Sequence, residues 1–213
     1  MRTTVDVALI QMARGDDIAS NTEKATHQIR AAASQGAKIA CTQELFKSRY
    51  FPQVVDSAFF NLAEVLNEAN PTLNQMSELA ATLEIVLVVS LFEKRTLGLY
   101  HNTAVVIDAD GQILGKYRKM HIPDDPGYYE KFYFAPGDLG YKVFRTRYAD
   151  IGVLICWDQW FPEAARLTAM RGAEIIFIPT AIGYTSHEKE EDSAAYNDAW
   201  QVVQRGHAAA NAC

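Results

Sequence analysis

Two rhythms of hydrophobic and polar positions run along this chain. Short runs of apolar and β-branched residues at 5–10, 38–42, 85–91, 151–155 and 175–178 read as buried strands. The run at 85–91 is nearly unbroken, the pattern of a strand covered on both faces. Between the runs, apolar positions recur at helical spacing. Ser20 with Glu23 three residues later has the form of a capping box, opening a helix that passes through Ile29 and Ala33 and stops at Gly36. Asn70-Pro71 opens a second helix, with Met76, Leu79, Ala80 and Leu83 as its apolar face. Pro162 opens a third over 162–171, closed by Gly172, and Asp192-Ser193 caps a last one. Strands at 103–107 and 112–117 flank Asp110-Gly111, a hairpin turn, and 142–146 is a further candidate strand. Residues 121–140, rich in Pro, Gly and aromatics, read as a long ordered loop, a feature uncommon unless it has a function.

Strands and helices therefore alternate at both ends of the chain, with a block of strands between. That order predicts a layered α/β domain, with helices covering the outside of the sheets. There is no repeat, low-complexity segment or linker, so residues 1–213 read as a single domain.

Composition narrows the classes. Hydrophobic residues are 49% and charged residues 22%, as in ordinary globular proteins. The net charge of -6 comes with no basic block, which argues against nucleic-acid binding. No apolar stretch approaches a membrane span or a signal-peptide core, and the three cysteines, Cys41, Cys156 and Cys213, give no disulfide framework. A reducing, cytoplasmic setting is expected. The acidic run at 186–193 reads as a solvated loop.

Three residues follow predicted strands: Glu44 in CTQELF, Lys119 in GKYRKMHIP and Cys156 in IGVLICWDQWFPE. Each alone has an ordinary reading, as a solvated carboxylate, a surface lysine and a small buried hydrophobe. Together they are the groups needed to attack an amide or ureido carbon. A thiol near its usual pKa of about 8.5 is mostly protonated, a nearby ammonium favours the thiolate, and a carboxylate can take the proton. The ammonium and a backbone N–H, such as that of Trp157, can meet the oxyanion. The five histidines show no metal-ligand spacing, and neither a serine elbow nor a phosphate loop is present.

These segments resemble the carbon-nitrogen hydrolase (nitrilase) superfamily, whose members use Glu, Lys and Cys in this chain order. HIPDDPGYYEKFYFAPGD, CWDQWFPEAARL, GAEIIFIPTAIG and ELFKSRYFPQ are similar to its N-carbamoylputrescine amidase branch. The resemblance implies a four-layer α-β-β-α sandwich, a catalytic triad of Glu44, Lys119 and Cys156, and a supporting second glutamate, Glu130. It implies hydrolysis of N-carbamoylputrescine to putrescine, carbon dioxide and ammonia, in polyamine biosynthesis, with no metal or organic cofactor. A homo-oligomer is also implied.

No arginine follows Cys156, so a small cationic ureido substrate is expected over an anionic one. Asp124, Asp125, Asp158 and Glu188 are candidates to meet its ammonium, and Tyr50, Tyr128 and Trp157 to form an apolar or cation-π wall. His121 reads as a loop-orienting residue. Family members continue beyond the point where this chain ends, so an incomplete C-terminal side of the sandwich is expected. The alternatives are another ureido or ω-amide amidase, or a non-catalytic chain that only associates with full-length subunits.

Overall fold

Among the described residues the strands form two sheets, one of five strands and one of three. The computed structural model of the chain describes residues 4–183 and 190–213. The first sheet has the order β1-β2-β3-β4-β5, with β1 Val7–Ile10, β2 Ile39–Thr42, β3 Val86–Thr96, β4 Leu99–Ile107 and β5 Ile113–Arg118. The first three strands run parallel, and β4 is antiparallel to both β3 and β5. β5 therefore points the same way as β2, and Glu44 and Lys119 leave the sheet at one edge. The second sheet is β6 Val143–Arg145, β7 Asp150–Val153 and β8 Ile175–Phe177, with β7 and β8 parallel.

The alternation of side chains along each strand builds the layers. Ile39, Cys41, Val86, Val88, Ala104, Val106 and Tyr117 face Phe144, Ile151 and Val153 across the gap between the sheets. On the other face, Ala40, Leu87, Val89, Val105 and Ile107 pack on Ala25 and Ile29 of α1 (Ile18–Ser34) and on Leu73, Met76 and Leu79 of α2 (Pro71–Leu83). Each of these fully buried large side chains contributes about 1.5–3 kcal/mol. The second sheet is covered by α4 (Pro162–Met170), which in turn packs on α5 (Glu190–Asn211). The result is the expected α-β-β-α layering. The remaining helix, α3 (Glu130–Tyr133), is one turn inside the segment expected as a loop.

Several local expectations change. The first helix is capped by Asp17, whose side chain accepts the Ala19 N–H, so Ser20 lies within the first turn and makes no cap. β1 is buried on one face only: Val7 and Leu9 are 45% and 74% exposed, whereas Ile10 packs on the α1 side. It is an edge strand, and its outer face opens on a groove lined also by Ile175 and Ile178. β3 and β4 are longer than the apolar runs suggested. They meet in a second hairpin at Leu97-Gly98, where Gly98 takes φ +76°. α5 is already helical at Glu190, before Asp192-Ser193. Glu188 and positions 186–189 of the acidic run lie outside the described residues. Among the described residues no helix is long and apolar enough to cross a membrane.

Gly152 shows how closely the outer layer is fitted. A Cβ there would sit 2.2 Å from Thr168 Cγ2 of α4 and 3.2 Å from Ala173 Cβ. Gly152→Ala should lower stability by about 1–3 kcal/mol through overpacking. An unchanged urea midpoint would mean that α4 can withdraw from β7 without cost.

Candidate active site

Glu44 lies two residues past β2, in a turn fixed by polar contacts. The Leu45 N–H donates to Ser90 Oγ at 3.0 Å, and the Ser90 N–H to Thr42 Oγ1 at 3.1 Å. Leu45 takes φ +51°, a left-handed value costly for a side chain of its size. Arg14 Nη1 reaches the carbonyls of Glu44 and Leu45 at 2.6 and 3.0 Å and secures that geometry.

Lys119 follows the last residue of β5. Its N–H donates to the Asn102 carbonyl at 2.9 Å, and its own carbonyl accepts the Gly137 N–H at 2.8 Å. Only glycine fits at 137, because a Cβ would stand 2.0 Å from the Arg118 oxygen. The Lys119 ammonium is wholly buried between two buried carboxylates. It lies 2.8 Å from Glu44 Oε1 and 2.8 Å from each oxygen of Glu130. Tyr50 donates its hydroxyl to Glu130 Oε1 at 2.5 Å. Glu44 accepts two further donors, Asn102 Nδ2 at 2.7 Å and the Ala181 N–H at 2.8 Å. Glu130 is carried to this cluster by α3, anchored in an aromatic layer of Phe51, Phe92, Tyr133 and Phe134.

Cys156 stands three residues past β7, at the start of a 3-10 turn spanning Cys156–Trp160. It takes φ +45°, and its N–H is held by the Pro179 carbonyl at 3.0 Å. A non-glycine residue in this region costs on the order of 1 kcal/mol, so the surrounding contacts must impose it. Only 5% of Cys156 is exposed.

Electrostatics distinguish the groups. Burial and the nearby Glu44 push the Cys156 thiol well above its usual value, against the pull of Lys119. Burial would lower the Lys119 ammonium, but Glu130 and Glu44 outweigh it and hold it above the ordinary lysine value. Burial pushes Glu130 up to about 7 against the attraction of Lys119. The resting site thus holds a protonated thiol beside a charged lysine.

The other expected site residues divide. Tyr50 and Tyr128 are neighbours, with ring centroids 5.8 Å apart. Trp157 packs edge-on against Trp160 at 6.3 Å between ring centroids, and Tyr50 is engaged with Glu130. Asp124 and Asp125 are exposed, and Asp125 closes a turn by accepting the Tyr128 N–H at 2.8 Å. Asp158 does not fit a substrate contact. It is fully buried, and its oxygens meet His121 N and Nδ1, Tyr117 Oη and Ile155 N at 2.7–2.9 Å. Sequence reasoning missed Arg14, Asn102 and the Ala181 N–H. The signal for Asn102 was present: His-Asn-Thr interrupts an otherwise apolar strand, YHNTAVVI. Among the described residues no group of His, Cys, Asp and Glu could hold a metal ion.

Beside the site, Glu93 is buried and accepts from Arg118, Lys116 and Thr103 at 2.6–2.8 Å. Burial alone would raise its carboxyl, but these donors outweigh it and hold it at about 2. A depressed carboxylate contributes stability that is complete above the unfolded pKa, near 4.3, and is lost as pH falls towards 2. The contribution is on the order of 3 kcal/mol. Urea midpoints should therefore fall more steeply between pH 5 and 3 in the native chain than in Glu93→Gln. Parallel curves would remove Glu93 from the acid response.

Known proteins resemble this chain over nearly all of its length. The model of the carbon-nitrogen hydrolase family matches residues 6–213. The chain is 50% identical over 207 residues to an N-carbamoylputrescine amidase of Solanum tuberosum, covering 97% of this chain and 67% of that protein. It is 48% identical over 207 residues to a citrullinase of Francisella tularensis subsp. tularensis, covering 97% and 71%. The crystal structure of a carbon-nitrogen hydrolase from Helicobacter pylori G27 superposes with a TM-score of 0.92 at 44% identity, over 97% of this chain and 70% of that one. The chain belongs to the carbon-nitrogen hydrolase family, the nitrilase superfamily of amide-cleaving enzymes.

Proposed function

We propose that this chain is a thiol amidohydrolase that removes ammonia from a ureido group, with N-carbamoylputrescine as its substrate. The observation that carries the reading is the buried lysine held between Glu44 and Glu130, beside a thiol in a left-handed turn. The identity of about half with an N-carbamoylputrescine amidase adds the substrate class.

In this reading Cys156 is the nucleophile. Its raised thiol must lose a proton as it attacks, and Glu44 takes that proton. Lys119, charged and immobile, cannot serve as the base. It stabilises the oxyanion together with the Trp157 N–H, which belongs to the first turn of a helix, where N–H groups lack an intrahelical partner. Glu130 holds Lys119 with both oxygens and is itself held by Tyr50. Collapse of the tetrahedral adduct expels ammonia, which receives its proton from Glu44. Glu44 then activates water against the S-carbamoyl enzyme, and the released carbamate decomposes to carbon dioxide and putrescine. Among the described residues, Tyr128 and the exposed Asp124 and Asp125 are the groups left to meet the distal ammonium. A homo-oligomer is part of the proposal.

A second reading follows from the relative named a citrullinase. Citrulline carries the same terminal ureido group but adds a carboxylate. Ammonia release should be measured from N-carbamoylputrescine, citrulline, an N-carbamoyl amino acid and an ω-amide of a dicarboxylic acid. The expected result is the highest kcat/KM for N-carbamoylputrescine. A higher value for citrulline moves the second reading to first place, and no release from any of them by folded protein overturns both.

A further inference from the structure

We propose that Asp158 is a positioning residue that clasps the strand end carrying Lys119 to the turn carrying Cys156. The inference rests on the roles given above to Lys119 and Cys156. Asp158 is wholly buried, yet its carboxylate makes no contact with an ammonium or guanidinium among the described residues. Its partners instead bracket the two catalytic positions. Oδ2 accepts the hydroxyl of Tyr117, which lies on β5 two residues before Lys119, at 2.8 Å. Oδ1 accepts the His121 N–H at 2.9 Å, two residues after Lys119, and meets His121 Nδ1 at 2.7 Å. A carboxylate has no proton to give, so Nδ1 carries the hydrogen. Oδ2 also accepts the Ile155 N–H at 2.9 Å, immediately before Cys156.

One side chain of the turn that follows β7 thus fixes both flanks of a residue presented by the first sheet. Main-chain hydrogen bonds within each sheet cannot do this, because Lys119 and Cys156 follow strands of different sheets. The link also braces Cys156 at φ +45°: the Ile155 N–H, one peptide earlier, is held by Asp158, and the Cys156 N–H by Pro179. His121 extends the clasp outward. Its ring stacks on Phe161 at 3.6 Å between centroids, and Phe161 leads directly into α4. Small misplacements of reacting groups have large kinetic effects: a shift of about 1 Å can cost about 100-fold. A clasp of this kind acts on the distance between thiol and ammonium, so it should govern turnover more than substrate binding.

The test compares Asp158→Asn, His121→Ala and His121→Asn with the native chain and Cys156→Ala. Ammonia release is measured from the ureido substrate that the native chain turns over, and active sites are counted by stoichiometric alkylation of Cys156. Asp158→Asn should lower kcat per counted site by about tenfold or more, with KM changed by less than about twofold. His121→Ala, at a partly exposed position that should still fold, should lose several-fold, and His121→Asn, which keeps an N–H for Oδ1, should recover most of that. The double variant Asp158→Asn/His121→Ala should be no slower than Asp158→Asn, because both remove one device. A purely structural role would reduce the number of counted sites and leave turnover per site unchanged, and that result overturns the clasp. So do losses that multiply in the double variant. Activity lost in Cys156→Ala but undiminished in the clasp variants would leave the catalytic reading standing. Activity that survives Cys156→Ala would sink that reading, and the clasp with it.

Discussion

Cys156→Ala should lower ammonia release by about 10⁴-fold or more in kcat, with the fold and the stability of the chain nearly unchanged. The size follows from covalent catalysis: without the sulfur there is no acyl-enzyme, and the remaining groups only polarise the carbonyl. Stability should hold because the substitution removes one buried atom and keeps a small side chain. Cys213→Ala is the control, since Cys213 lies far along the chain in α5's terminal region and belongs to no part of the proposed site. The thiol itself offers a second check. Burial and Glu44 push it up, so alkylation of Cys156, mapped by mass spectrometry, should keep rising with pH beyond about 8.5, the value of a free cysteine. A plateau near neutral pH would mean a resting thiolate, and Glu44 would then not be needed as a base for the first step. Residual turnover of Cys156→Ala within tenfold of the native chain would remove Cys156 as the nucleophile.

Much of this site could be read from the chain because its members follow strands directly. The apolar runs before Glu44, Lys119 and Cys156 marked three strand ends, and β2 and β5 point the same way. What periodicity could not supply was depth. Glu44, Lys119 and Glu130 are charged, and charged residues are read as surface residues unless a partner is known. Here each is the partner of the others, and all three are wholly buried. Asp158 failed in the opposite way. Its place two residues after Cys156 suggested a contact with substrate, but besides the Ile155 N–H of its own turn its donors come from positions 117 and 121, contacts that only the packing of two sheets creates. β1 misled because an apolar run says that a strand can be buried, not on how many faces; Leu9 is 74% exposed. The hairpin at Leu97-Gly98 was hidden by its polar flanks, Glu93 to Thr96, which are strand residues held by cross-strand pairing and by the Glu93 ion cluster.

Lys119→Met should be the most destabilising substitution at the site, costing about 3–5 kcal/mol at pH 8 as well as abolishing turnover. The methionine fills the same space, but Glu44 and Glu130 lose the one ammonium between them and remain buried with like charge. Burial already pushes Glu130 up to about 7 with Lys119 in place, and removing the cation pushes it higher. The sign of the pH dependence follows. Above about 4.3 the unfolded chain has released the proton that the folded variant keeps, so the folded state binds more protons and its stability falls as pH rises. The deficit of Lys119→Met relative to the native chain should therefore be largest at pH 8 and shrink towards pH 5.5, as measured by urea unfolding. Adding Glu130→Gln removes one of the two charges, keeps an acceptor for Tyr50, and should recover much of the stability without restoring ammonia release. Recovery of stability without recovery of turnover would separate the two tasks of Lys119, neutralising a buried pair of carboxylates and polarising the substrate. A variant as stable as the native chain at pH 8 would mean that the two carboxylates already share a proton, and that Lys119 is held for chemistry alone.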